Sequence, residues 1–284
     1  MSLEYTITYS TKNTYENIVH SAHWQFLIIP ETNETQDFVT TNFSNSLAAI
    51  NEFSINGYGF NTIRVNPRKA FQEITFTAEF KVVKKEINPF KFNLSDNLKL
   101  DYQELDSLNF KVDFEQYLKN TPFTTLPNGT NGLFQLDYSK SIFENLTNLN
   151  QWTYNHIYFK VDVTNVHTML EDIITKRHGV CQDFAHLFCA IARAYQIPAR
   201  YVSGYLHQGN GYFGDSQMHA WVETYIPNVG WVGFDPTNNI LVAADHIKVC
   251  HGKDYQDCAP LKGIVYSEGQ NETQYSVQVI SQQQ

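Results

Sequence analysis

Residues 179–196, GVCQDFAHLFCAIARAYQ, decide how the rest of the chain is organised. Phe184, Leu187, Phe188, Ile191 and Ala192 recur at three- and four-residue intervals, the spacing of one buried helix face, so the pattern predicts a helix over Cys181–Gln196 ended by Pro198. Cys181 stands in its first turn. A side chain there meets unpaired backbone N–H groups and the positive end of the helix dipole, which favour a thiolate. Cys189 falls mid-helix between Phe188 and Ile191 and reads as an inert core residue. At 1.5 Å of rise per residue the two thiols stand about 12 Å apart along the axis, too far to bridge. Just upstream, Thr168 and Glu171 have capping-box spacing, which predicts a helix through Lys176 with Gly179 as its stop.

Downstream the period changes to that of strands, expected at Arg200–Leu206, His219–Ile226, Trp231–Phe234, His246–His251 and Ile264–Ser267. Pro227-Asn228-Val229-Gly230 is turn material and closes a hairpin between the second and third of these. The start of one strand then lies beside the end of the next, so His219 and Asp235 meet at one end of one sheet. Pro236 favours an extended backbone at Asp235. Singly, a helix-start cysteine, a strand-start histidine and a strand-end aspartate are ordinary packing, strand-end and turn residues. Together they have the makings of an activated nucleophile: a thiol, an imidazole to take its proton, and a carboxylate to hold the imidazole.

The first ~90 residues carry no helical period. Ile74–Val82 and Tyr5–Tyr9 alternate apolar and polar residues, His23–Ile29 is a near-continuous apolar run closed by Pro30, and Asn56-Gly57 with Gly59 marks a hairpin between Phe53 and Val65. Short strands in this arrangement predict an antiparallel β-sandwich. Phe114–Leu118 and Ser139–Trp152 have helical spacing, separated by a loop over 121–132. The expected class is therefore α+β, with residues 1–100 as the sandwich and 101–284 as a helical connector and second domain.

Composition bounds the chemistry. The 284 residues are 42% hydrophobic and 17% charged, enough apolar material for two cores. Twenty basic against twenty-nine acidic residues give a charge of −9, and only five of the basic residues are arginine. That argues against nucleic acid as a partner and against a phosphate-clamping surface. No apolar run reaches the ~18 residues of a membrane helix. Met1–Lys12 lacks the basic start and apolar block of a signal peptide, so a soluble, cytoplasmic protein with no membrane partner is expected. Four cysteines, at 181, 189, 250 and 258, are too few and too uneven for a disulfide scaffold.

Two further patterns carry less weight. Gly209–Gly214 satisfies GxGxxG after a strand, but the residues from Met218 onward read as a strand where a dinucleotide site needs a helix. A flexible loop leading to His219, able to gate substrate entry, is the better reading. His178, Cys181, His186 and Cys189 lack compact zinc spacing. Neither a metal nor another cofactor is expected.

The residues Gly179–Leu187, Ile197–Tyr205, Met218–Glu223 and Gly230–Thr237 resemble the transglutaminase-like superfamily of papain-fold cysteine enzymes. Gly252–Pro260 and the strand-rich N-terminal segment resemble its bacterial branch. The resemblance implies a papain-like core in which the cysteine-bearing helix packs on an antiparallel sheet. It also implies roles: Cys181 as nucleophile, His219 as general base and then acid, Asp235 as the orienting carboxylate. Asp183, His186 and Trp221 are expected to support the site, and Cys250 and Cys258 to be packing residues. For the oxyanion, Trp152 and Tyr158 are candidates by position, with the backbone N–H of Cys181 the safer donor. Such a triad makes a thioester from a carboxamide or peptide bond of a protein or peptide substrate, without a cofactor. Hydrolysis of that thioester is the leading expectation, ahead of transfer to an amine, with a non-catalytic peptide-binding module as the third reading.

Overall fold

A computed structural model describes residues 2–86, 88–92, 97–130, 132–209 and 211–282. Residues 93–96, at the expected division of the chain, and Asn210, in the glycine-rich stretch, lie outside them.

The N-terminal segment forms six strands: β1 (Ser2–Val19), β2 (Ser21–Phe26), β3 (Gln36–Asn45), β4 (Asn51–Ile55), β5 (Asn61–Val65) and β6 (Phe71–Lys85). Helices follow as α1 (Leu98–Asp106), α2 (Leu108–Asp113), α3 (Glu115–Leu118) and α4 (Ile142–His156). Ser141 caps α4 by accepting from the Glu144 N–H, while the Glu144 carboxylate accepts from the Ser141 N–H. Next come β7 (Tyr158–Phe159), α5 (Leu170–Lys176), β8 (His178–Gly179) and α6 (Cys181–Ala194). The chain continues through β9 (Ala199–Leu206), β10 (His219–Ile226), β11 (Gly230–Asp235), β12 (Ile240–Leu241) and β13 (His246–Gly252). It ends with α7 (Tyr255–Cys258), β14 (Leu261–Tyr266) and β15 (Asn271–Gln282).

Three antiparallel sheets, β15-β1-β6-β3, β14-β2-β5-β4 and β12-β11-β10-β9-β13, organise these strands, with β7 and β8 forming a separate two-stranded parallel pair. The first two face each other as a sandwich, with Phe76 of β6 packed on Trp24 and Phe26 of β2 at ring separations of 5.2 and 4.7 Å. The fold is thus α+β, as the sequence predicts. β1 and β6 are long because one face serves two neighbours. Ile74, Phe76, Ala78, Phe80 and Val82 all point inward, as the period of two requires. Phe76 meets the second sheet, whereas Phe80 reaches Tyr205 of β9 and Lys84 donates to the His246 carbonyl.

The expected division at residue 100 does not describe the C-terminus. β14 pairs with β2 and β15 with β1, so the last strands complete the two N-terminal sheets. The whole of β15 lay beyond the strands expected from sequence, although Tyr275, Val277 and Val279 alternate with polar residues; its partner is some 260 residues away, and nothing local points to that pairing.

In the third sheet, α6 lies across β10 and β9. Phe184, Leu187, Phe188 and Ile191 are buried, as the period predicts. Arg193, in the last turn, is buried too. It donates to the carbonyls of Ala199 and Lys253 and to the Thr124 hydroxyl, which ties the helix to its surroundings. Two expectations around α5 are corrected. Its cap is Met169, with no side-chain hydrogen bond, because the Thr168 hydroxyl instead accepts from Asn165 N–H. Its stop is Arg177 in the left-handed region (φ 55°), and Gly179 belongs to β8.

Candidate active site

The first turn of α6 is held by Asp183. Its Oδ2 accepts from the Val180 N–H at 2.8 Å and from the Thr164 hydroxyl at 2.7 Å. Gly179 makes room for this, since a Cβ there would lie 2.6 Å from the same oxygen. The other oxygen, Oδ1, is buried without a partner among the described residues. Burial pushes the Asp183 carboxyl up to about 6, against the opposing pull of those two hydrogen bonds. This anchor fixes the turn in which Cys181 stands, half-buried and free.

The hairpin register, Ile226 opposite Gly230 and Val222 opposite Phe234, brings the end of β11 beside the start of β10. His219 Nε2 and Asp235 Oδ2 meet there at 2.8 Å, both side chains fully buried. Burial alone would lower the imidazole's proton affinity. The charge and hydrogen bond of Asp235 outweigh it, Cys181 adds to the effect, and His219 is raised to about 10. With Nε2 committed to Asp235, Nδ1 is the nitrogen left for the thiol; among the described residues no nitrogen or oxygen bonds to it. For Asp235, burial works against ionisation, but the positive imidazole beside it holds the carboxyl far below the usual range.

Asp235 collects more donors than sequence reasoning foresaw. Oδ1 accepts from the backbone N–H groups of Thr237 and Asn238. Oδ2 accepts from Asn238 Nδ2 at 2.8 Å and from a second imidazole, His246 Nε2, at 3.1 Å. Asn238 was within reach of sequence analysis, since Asp-Pro-Thr-Asn is turn composition in which a side chain turns back on its own loop. His246 stands at the start of an expected strand, but nothing local places that strand beside Asp235. It starts β13, which reaches the site by pairing with the far side of β9.

Asn238 also clasps the loop between β9 and β10. Its side chain accepts from the Phe213 N–H at 2.8 Å and donates to the Phe213 carbonyl at 3.2 Å. The Phe213 ring stacks on Phe159 at 4.7 Å. Gly214 follows with φ +86°, and a Cβ there would stand 2.5 Å from His219 Nδ1. Gly214 therefore lets backbone lie directly against the imidazole, and the chain after it enters β10 rather than a helix.

Cys181 and His219 share a cleft of about 460 Å³. Its walls come from all parts of the chain: Tyr9 of β1, Phe159, Tyr201, Phe213 and Tyr275 of β15. The sandwich is therefore a wall of the site. Trp152 and Tyr158, the two oxyanion candidates, do not line this cleft: Trp152 stacks on His156 at 4.4 Å and Tyr158 is 70% exposed. Gln182, next to Cys181, does line it. His186, a buried residue of α6, is stacked on Phe123, and its Nε2 accepts from the Tyr255 N–H. Burial drops its proton affinity to about 3, so it stays neutral. Trp221 is buried edge-on to His246 at 5.2 Å. Cys189 is buried and its thiol pushed up to about 11; Cys250 and Cys258 are buried and free.

Among the described residues, His219, Asp235 and His246 form the one group whose ligand atoms could converge on a metal, lying within 4.8 Å of one another. Both imidazoles already direct Nε2 at the same carboxylate oxygen, and the carboxylate takes five hydrogen bonds in all. Its acceptor capacity is filled by protein donors, so the donor set suits a hydrogen-bond cluster better than a metal.

A helix-borne thiol facing an imidazole–carboxylate pair on an antiparallel sheet is the layout of papain-like α+β proteins. Residues 135–236 match the model of the Transglutaminase-like superfamily, and this stretch is similar to that family. An uncharacterised protein of Mycobacterium leprae is 27% identical over 283 residues, covering 96% of this chain and 97% of that one. A protein-glutamine gamma-glutamyltransferase of Pseudomonas aeruginosa is 34% identical over 102 residues, 32% of this chain and 15% of that protein. The crystal structure of a Cytophaga hutchinsonii protein, proposed there to be a cysteine protease, superposes with a TM-score of 0.77 at 22% identity, covering 100% of this chain and 92% of that one. That likeness extends the shared fold across the sandwich as well as the core.

Proposed function

We propose that the protein is a cysteine amidase or protease whose nucleophile is Cys181. The observation that carries this reading is His219, which has Asp235 at 2.8 Å on one nitrogen and the Cys181 thiol as the group left for the other, inside a single cleft. The thiol proton passes to His219 Nδ1, and Sγ adds to the carbonyl carbon of a carboxamide or peptide bond. As the C–N bond breaks, His219 returns the proton to the leaving nitrogen, and an acyl thioester on Cys181 remains. Water then adds to the thioester with His219 taking its proton, the C–S bond breaks, and carboxylate and thiol are released. Asp235 stays ionised throughout and steadies the imidazolium. The aromatic walls suit a protein or peptide segment.

Hydrolysis needs no group beyond those described, whereas an amine acceptor needs a binding place of its own. The Pseudomonas relative's name supports acyl transfer as the second reading. Incubation with glutamine-containing peptides, with and without a fluorescent primary amine, separates the two by mass spectrometry. Conversion of carboxamide to carboxylate, or chain cleavage, with the amine ignored supports hydrolysis; amine incorporation in preference to water overturns it. Cys181→Ala abolishes either product, and survival of product formation in that variant removes the proposal altogether.

A further inference from the structure

We infer that His246 is a positioning residue that controls how tightly His219 holds its proton, by donating an N–H to the carboxylate the two histidines share. The inference rests on the triad reading above and adds a member to it. Asp235 Oδ2 is divided among His219 at 2.8 Å, Asn238 at 2.8 Å and His246 at 3.1 Å. Every donor that takes part of this oxygen's charge leaves less of it for the His219 imidazolium.

The surroundings of His246 fix it as a neutral donor. The Ala243 N–H points at its Nδ1 from 3.5 Å, which leaves Nε2 as the protonated nitrogen facing Asp235. Burial first, and then the positive charges of His219 and Lys84, hold its proton affinity below the ordinary value despite Asp235. Its ring is braced edge-on by Trp221. Its carbonyl accepts from Lys84 Nζ at 2.7 Å, so β6 of the sandwich fixes the backbone from which the ring projects. The titratable groups around the pair are Cys181 on α6, Asp235 on β11, Lys84 on β6, Asp245 just before β13 and Tyr212 on the loop. Lys84 faces Glu223, Lys248 and Glu31 in turn. A histidine present only for its shape would tolerate any flat ring here; a donor would not.

The test reads the ion pair without needing a substrate. Iodoacetate is an anion, so its reaction with Cys181 requires the thiolate and is helped by the neighbouring imidazolium; the rate falls at alkaline pH as His219 loses its proton. His246→Phe removes the donor and is expected to move that alkaline limb upward by about one pH unit, since Asp235 then binds the imidazolium more strongly. His246→Gln keeps an N–H at a similar reach and is expected to restore the wild-type limb. An unshifted or downward-shifted limb in a folded His246→Phe protein overturns the inference, as does an equal shift in His246→Gln. Should His246→Phe not fold, ¹⁵N-histidine spectra of the wild-type protein decide. The expected result is a neutral His246 protonated on Nε2 while His219 titrates, and a proton on Nδ1 contradicts it. Failure of the triad itself looks different: the wild-type rate then shows no alkaline limb, and His219→Ala changes nothing.

Discussion

Asp235 and Asp183 are both buried carboxylates at the two ends of one site, and their environments push them in opposite directions. Asp235 accepts five hydrogen bonds, faces a positive imidazole and stays ionised. Asp183 accepts two on one oxygen, leaves the other bare, and titrates near 6. Burial is the same opposing force in both, so the difference comes from the number and charge of the donors. One carboxylate serves the chemistry of an imidazole; the other braces a helix start and is strained by its own charge.

Asp235→Asn is expected to have the largest effect. It removes the charge that balances the buried His219 imidazolium, and a loss of about 3–5 kcal/mol in denaturant unfolding is expected. The pH dependence gives the sign. His219 is raised to about 10 in the folded protein, so its contribution is complete below its ordinary value of 6.5 and fades as pH rises from there to about 10. Wild-type stability should fall across that window, and the fall should vanish in Asp235→Asn.

Asp183 runs the other way. Its carboxyl rises from 3.8 to about 6 on folding, so the folded state is favoured at low pH and loses stability between those values, by about 3 kcal/mol in all. Asp183→Asn cannot ionise, and its stability relative to wild type should improve by that amount between pH 4 and pH 7. A constant difference would show that the bare oxygen is solvated in solution.

Smaller effects sharpen the Asp235 end. Gly214→Ala forces a side chain into a left-handed backbone and against His219 Nδ1, so about 1–2 kcal/mol of stability should be lost, along with much of the alkylation rate of Cys181. Asn238→Ala removes one donor from Asp235 and releases Phe213. About 1 kcal/mol and faster proteolysis within residues 207–218 are expected.

The Asp235 end was also the less legible one. Cys181, His219 and Asp235 stood out because each lies at a place that a local pattern defines: a helix start, a strand start and the strand end across a four-residue turn. The helix face of α6 and the alternation of β6 were readable for the same reason. What the sequence concealed is what distant pairing supplies. His246 arrives through a strand on the far side of β9, and β15 joins β1 from the opposite end of the chain. The α5 cap failed because Thr168 had a closer partner in Asn165, a competition that spacing alone does not reveal.

One thiol among the four is set apart by its surroundings. Cys181 is half-buried beside a charged imidazole, while Cys189, Cys250 and Cys258 are buried. Peptide mapping after brief exposure to iodoacetamide at mildly acidic pH tests it directly. Labelling confined to Cys181, and lost when His219 is replaced by alanine, is the result expected. Equal labelling of all four, or labelling of Cys181 indifferent to His219, contradicts it.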